Sequence, residues 1–283
     1  MSTPRDDEMA EYASRSGEHG ALERRVTSGS ENVKQDLNKA GYNVDLIKAV
    51  ARNLRKLVRK LDVGKRATTW SDYRTTCSYS DDDTEAKRAF VDEVAKQVDP
   101  GLTLDLGAND GAFSLIASEY SDYVVAVDGD EAVVDRLYRR LRSEGNERIL
   151  PLVVDLVDPP GGLGWRNRER APFADRVRPD LTMALALVHH LAIAANVPLP
   201  QVLDWLGSFP LASRAEGGGS TLVVEFVHRD DPMVVRLLAN KPAGLFDDYN
   251  RDAFESLLKE RCHIERTEVL PGGTRTLYLA QPR

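Results

Sequence analysis

The stretch Leu104-Asp105-Leu106-Gly107-Ala108-Asn109-Asp110-Gly111-Ala112-Phe113-Ser114, followed by Val124-Val125-Ala126-Val127-Asp128, decides the fold of this chain. An apolar run closes on a carboxylate, a glycine-punctuated turn follows, and a helical pattern begins. A second apolar run then closes on a second carboxylate, roughly 20 residues after the first. A strand, turn, helix and strand carrying two such acids is how a doubly wound sheet holds an adenosine-containing ligand. The turn lets the backbone approach the ligand, and the acid after the second strand accepts from the ribose hydroxyls. The spacing is Asp-x-Gly-x-x-x-Gly. It is not the Gly-x-Gly-x-x-Gly of dinucleotide sites, which argues against a nicotinamide cofactor.

Outward from this segment the pattern alternates between strands and helices. Strands are expected near 102–106, 122–127, 149–154, 180–186, 220–227, 263–269 and 274–280, with helices near 111–119, 130–143, 196–207, 231–239 and 250–260. The alternation predicts an α/β fold: a seven-stranded, doubly wound, mainly parallel sheet covered on both faces. The run Glu216-Gly217-Gly218-Gly219 marks a loop, and Pro271-Gly272-Gly273 reads as a hairpin turn that makes the last strand antiparallel to its neighbour. Ahead of the first strand, Ser80 is placed to cap a helix whose first turn holds Asp81, Asp82 and Asp83, and whose buried stripe is Ala86, Phe90, Val91 and Val94. An amphipathic helix is expected over about 43–61, with Val44, Ile47, Val50, Leu54, Leu57, Val58 and Leu61 recurring at three- and four-residue steps.

Composition bounds the rest. The 283 residues carry 42% hydrophobic and 29% charged side chains, with a net charge of −7, the balance of a globular chain that buries a proper core. The charge is uneven: residues 48–66 hold eight basic side chains against Asp62 alone, ahead of an acidic remainder. Cys77 and Cys262 fit a reducing compartment better than a disulfide framework. The N-terminus has no apolar signal core, and no run approaches the roughly 18 apolar residues of a membrane span. A soluble, cytoplasmic chain is expected. Its divisions are expected to be a tail at 1–30, an N-terminal helical extension or cap at 31–98, and the sheet-bearing core at 99–283.

The quoted stretch from Leu104 to Gly111 resembles motif I of class I S-adenosylmethionine-dependent methyltransferases. Asp128 is placed like that family's ribose-binding acid, Val153-Val154-Asp155-Leu156 like its third-strand segment near the adenine, and Leu185-Ala186-Leu187-Val188-His189-His190-Leu191 like its fourth-strand segment. Further phrases are similar to a bacterial group that includes nodulation-type methyltransferases. These are Ser78-Tyr79-Ser80-Asp81, Gly164-Trp165-Arg166-Asn167-Arg168-Glu169-Arg170, His189-His190-Leu191-Ala192-Ile193 and Asp231-Pro232-Met233. The resemblance implies the methyltransferase sheet, S-adenosyl-L-methionine as cofactor, and an oxygen, nitrogen or carbon methyl acceptor, with a small molecule foremost.

Roles follow residue by residue. Asp105 is placed to meet the cofactor's ammonium group. Gly107 and Gly111 leave room for its amino-acid tail and for close packing of the helix, and Asn109 tolerates a left-handed backbone between them. Asp128 is expected on the ribose, and Asp155 with the amide of Leu156 on the adenine edge, although Asp155 also suits a loop-entry cap. Asp130 reads as a helix cap. His189 and His190 close the fourth strand, either as a general base or as shapers of the loop. Glu225 closes the fifth, either facing the acceptor or paired with an arginine. Trp70, Tyr73 and Tyr79 are candidates to cover the site, and the arginines beside Trp165 to clamp an anionic acceptor. No ligand spacing for a metal is present.

The basic helix admits docking on the chain's own acidic body, contact with nucleic acid or a membrane surface, or an oligomer contact. Nucleic acid ranks below a small-molecule acceptor as partner, and no membrane partner is expected. The rival functions are a non-catalytic methyltransferase-like module binding nucleic acid or protein through residues 48–61, and an NAD-dependent oxidoreductase.

Overall fold

The computed structural model describes residues 44–60, 80–209 and 220–283. Contacts divide the chain into two compact units, Met1–Gly64 and Lys65–Arg283. Within the first, the described residues form one helix, α1 (Val44–Lys60), none of whose residues is buried. Within the second, helix α2 (Asp81–Val98) leads into β1 (Leu102–Leu106), α3 (Ala112–Ala117), β2 (Tyr123–Asp128), α4 (Glu131–Glu144) and β3 (Ile149–Val153). Then come α5 (Phe173–Arg176), β4 (Leu181–Ala184), α6 (Leu199–Leu206), β5 (Thr221–Val227), α7 (Pro232–Leu238), α8 (Arg251–Arg261), β6 (Cys262–Val269) and β7 (Arg275–Pro282). Helix α2 falls in the second unit, with the sheet. The tail at 1–30, the aromatics Trp70, Tyr73 and Tyr79, and the glycine run at 216–219 lie outside the described residues.

The sheet has seven strands in the order β3-β2-β1-β4-β5-β7-β6. The first five strands run parallel, while β7 lies antiparallel between β5 and β6. Its turn is the expected one: the Gly273 N–H donates to the Leu270 carbonyl at 2.8 Å, with Gly273 at φ +76°. Chain order reverses at β1, whose neighbours β2 and β4 lead to opposite edges. That crevice is where doubly wound sheets bind ligands.

Strand period decides what faces the crevice. Leu104 and Leu106 of β1 join one core layer with Val224, Phe226, and the inward residues of α6 and α8. Met183, Val223, Leu277 and Leu279 join the other, with Phe90, Val91 and Val94 of α2 and Leu137 of α4. Alternate residues share a face, so Asp105, Glu225 and Arg275 fall on the α2 side of the sheet. Helix α2 starts where Ser80 predicts. Its hydroxyl accepts from the Asp83 N–H at 3.0 Å, and the Asp83 carboxylate accepts from the Ser80 N–H at 3.2 Å, a reciprocal cap. Asp83 also accepts from the Gly272 N–H at 2.7 Å, tying α2 to the C-terminal hairpin.

The structure shortens some expected elements. The strand expected at 180–186 stops at Ala184, because Ala186 turns to φ +51°. Residues 190–194 wind as a π-helix, and residues 165–167 as a 3-10 turn.

Candidate active site

The turn after β1 is built on backbone that few side chains adopt. Gly107 and Gly111 lie at φ +77° and +76°, and Asn109 at +48°, the left-handed conformation expected of it. A Cβ on Gly111 would sit 2.6 Å from the Leu137 side chain, so only glycine lets α4 pack this closely. The Gly107 and Ala108 N–H groups both donate to the Val127 carbonyl at 2.9 Å, clamping the turn to β2.

Both motif acids end up beside this turn. Asp128 accepts the Asn109 N–H on one oxygen and the Asp130 N–H on the other, each at 2.9 Å. Each oxygen keeps a further lone pair for a hydroxyl. Partial burial raises its carboxyl above the ordinary range, against the pull of those N–H groups. Asp130 caps α4 as expected, accepting from the Ala132 and Val133 N–H groups. Asp105 is buried, and the Ser114 hydroxyl donates to it at 2.5 Å. Burial pushes its carboxyl up to about 6, although Ser114 and Lys87 favour the charged form.

A cavity of about 280 Å³ opens here, lined by Lys87, Asp105, Gly107, Asn109, Phe113 and Ala186 among others. Through Lys87 its wall joins a buried charge network that the sequence left unread. Lys87 projects from α2 with its Nζ 2.6 Å from Glu225 Oε2, both side chains almost wholly buried. The same oxygen accepts the Ala186 N–H at 2.9 Å. Arg275 of β7 donates to Glu225 Oε1 at 3.1 Å and, through Nε, to Asp231 at 2.8 Å. Asp231 in turn caps α7 by accepting the Met233 N–H. Two cations and two anions thus close a buried, charge-balanced group. Burial lowers the Lys87 ammonium despite the raising effect of Glu225. Of the two arrangements open to Glu225, the structure shows the ion pair: its carboxylate is taken up by Lys87, Arg275 and a backbone N–H.

The remaining candidates are placed as follows. His189 is fully buried, and neither ring nitrogen meets a hydrogen-bond partner among the described residues. Its pKa is driven well below the ordinary value by burial, then by His190, Arg275 and Lys87. His190 stacks at 4.0 Å between ring centroids and is lowered to about 4 by burial and by Arg275 and Arg236. Both imidazoles are neutral at neutral pH, and their cations are disfavoured. Asp155 is exposed and accepts the Val157 N–H at 2.9 Å, the loop-entry cap, while Leu156 packs half-buried on the core. Trp165 is 78% exposed in its loop. Among the described residues no group of His, Cys, Asp or Glu is disposed to hold a metal ion.

Lys87 did leave a signal. It stands three, four and seven positions before Phe90, Val91 and Val94, a charge on the buried stripe of its own helix. Asp231 and Arg275 left none, since their charged partners are remote in sequence.

No family model matches the chain. Over 220 residues it is 36% identical to nodulation protein NoeA of Rhizobium meliloti (strain 1021), a match covering 77% of this chain and 44% of that protein. The chain thus spans less than half the length of this relative. Among solved structures it is similar to the N-methyltransferase NodS from Bradyrhizobium japonicum WM9, with TM-score 0.50 and 13% identity over 72% of this chain and 98% of that one. For the same protein in complex with S-adenosyl-l-homocysteine the TM-score is 0.51, with 12% identity over 76% and 99%. The chain therefore has the class I methyltransferase fold and is related in sequence to a nodulation protein.

Proposed function

We propose that this chain binds S-adenosyl-L-methionine at the β1/β4 crevice and transfers its methyl group to an oxygen, nitrogen or carbon atom of a small molecule. The carrying observation is the pair Asp105 and Asp128 on either side of one left-handed turn. One carboxylate is buried at the cavity and the other is held by two N–H groups. The residues fit that cofactor. Asp105 suits its ammonium, Asp128 its ribose hydroxyls, and Gly107, Asn109 and Gly111 shape a turn that a bulkier, right-handed backbone would close. Asp155 and Leu156 lie at the end of β3, where the adenine edge is expected.

When bound, the cofactor supplies an electrophilic methyl group. The chain's own residues do the rest by binding and exclusion. An ammonium beside Asp105 favours its charged form, and the Ser114 hydroxyl keeps that carboxylate oriented. Lys87, held by Glu225, fastens α2 over the cavity and keeps water from it. In-line positioning of a nucleophile needs no obligatory base. On the acceptor side the neutral, partly exposed imidazole of His190 offers a hydrogen-bonding group with His189 packed behind it, and Glu225 acts through Lys87 and Arg275. A cytoplasmic, bacterial setting goes with this reading.

Calorimetric titration with S-adenosylmethionine, S-adenosylhomocysteine and NAD tests it. Micromolar binding of the first two and none of the third is expected. Asp128→Ala should raise Kd about tenfold by removing charge-assisted bonds to the ribose. Unchanged affinity in that variant refutes the ribose assignment, and silence from both sulfur ligands refutes the function.

A further inference from the structure

We propose that α1 is an in-plane anchor for an anionic lipid surface. The observation is how completely this helix sorts its side chains. At 3.6 residues per turn, Leu46, Ile47, Val50, Leu54, Leu57 and Val58 fall on one half of the cylinder. Lys48, Arg52, Arg55, Lys56, Arg59 and Lys60 fall on the other, with Asp45 as the sole acid of the helix. The apolar half is not core: those six side chains are 43% to 63% exposed. Neither glycine nor proline interrupts the 17 residues.

Each face narrows the choice of partner, and an anionic lipid surface meets the demands of both. A nucleic acid or an acidic protein surface neutralises the basic half and leaves the apolar half in water. A second copy of α1 covers the apolar half, but it brings like charges together, because Arg55 and Lys48 border that half on one side and Lys60 stands near the other. An anionic lipid surface satisfies both faces at once. The leucines and valines enter the acyl boundary, while the lysine and arginine heads reach the headgroups on their flexible stems. A sharp division into two faces, one of them densely charged, separates such a helix from a spanning one, and among the described residues no helix is long and apolar enough to cross a membrane. Peripheral attachment of this kind goes beyond the expectation of no membrane partner. It does not depend on the methyl-transfer reading.

The test sediments the full-length protein with vesicles of phosphatidylcholine containing about a third phosphatidylglycerol, and with vesicles of phosphatidylcholine alone. The protein should pellet with the first and not the second, less so at high salt. Leu54→Gln with Leu57→Gln, and separately Arg52→Gln with Arg59→Gln, should each lower the partition coefficient at least about tenfold. Unchanged circular dichroism and melting of both variants exclude unfolding as the cause. If the parent does not pellet with anionic vesicles, the proposal is wrong. It also fails if the arginine pair alone matters and the parent binds an RNA oligonucleotide, which marks a polyanion site. Conversion of a dimer to a monomer by the leucine pair, without vesicle binding by the parent, overturns it in favour of helix pairing.

Discussion

Helices α1 and α2 are nearly equal in length, 17 and 18 residues, and they use amphipathicity in opposite ways. α1 sorts apolar from basic side chains around its whole circumference and buries none of them. α2 sorts far less cleanly, yet it buries Phe90, Val91, Val94 and Ala95, and with them Asp83 and Lys87. A strong apolar face states that a helix has a use for a partner. It does not state that the partner is the protein's own core. A charge lodged within a buried stripe carries different information, since it is tolerated only where an opposite charge meets it.

The comparison is broken most readily at Lys87. Lys87→Ala leaves Glu225 and Arg275 buried without their full complement of charge, and should cost about 3 kcal/mol of stability. It should also loosen α2, with faster hydrogen exchange there than in the parent. Denaturant unfolding together with exchange checks both, and a neutral result would mean that α2 is held by its apolar stripe alone.

The next effect concerns Asp105. Its carboxyl rises from 3.8 to about 6 in the folded chain, so the folded state holds this proton more tightly than the unfolded state does. The resulting stability is fully present below about pH 4 and lost as pH rises through about 6, a change on the order of 3 kcal/mol. Urea unfolding across that window should show the loss, and Asp105→Asn should flatten it. Cofactor affinity should rise over the same window, because the ammonium prefers the charged carboxylate.

The smallest effect is expected on α1. Arg52→Ala should leave stability within about 0.5 kcal/mol of the parent, as read from the same unfolding curves. A large loss there would place α1 in a packed interface and erase the contrast with α2.

Much of this architecture was legible in the chain. Strands of period two, helices of period 3.6 and the punctuation at Gly107, Gly111 and Pro271-Gly272-Gly273 are local properties, and they predicted seven strands and the antiparallel last one. The turn between Asp105 and Asp128 was legible for the same reason. The charge network was not, because it joins residues 87, 225, 231 and 275 through sheet order, which no local pattern encodes. The end of β4 was misjudged because Ala186 adopts a left-handed backbone that its side chain does not advertise. The two histidines were recognisable as a pair at a strand end. Their neutrality follows from burial and from Arg275 and Arg236, which the segment itself does not contain.

The place of β7 bears on how this molecule is made. A ribosome that has released the chain through β5 has already delivered Lys87 and Glu225, but Arg275 is still to come, and so is Gly272, whose N–H holds Asp83. The strand that completes the sheet between β5 and β6 follows both of them in the chain. A nascent chain can therefore assemble the Asp105 turn early, while Glu225, which holds Lys87 at the cavity, waits for its arginine until β7 emerges.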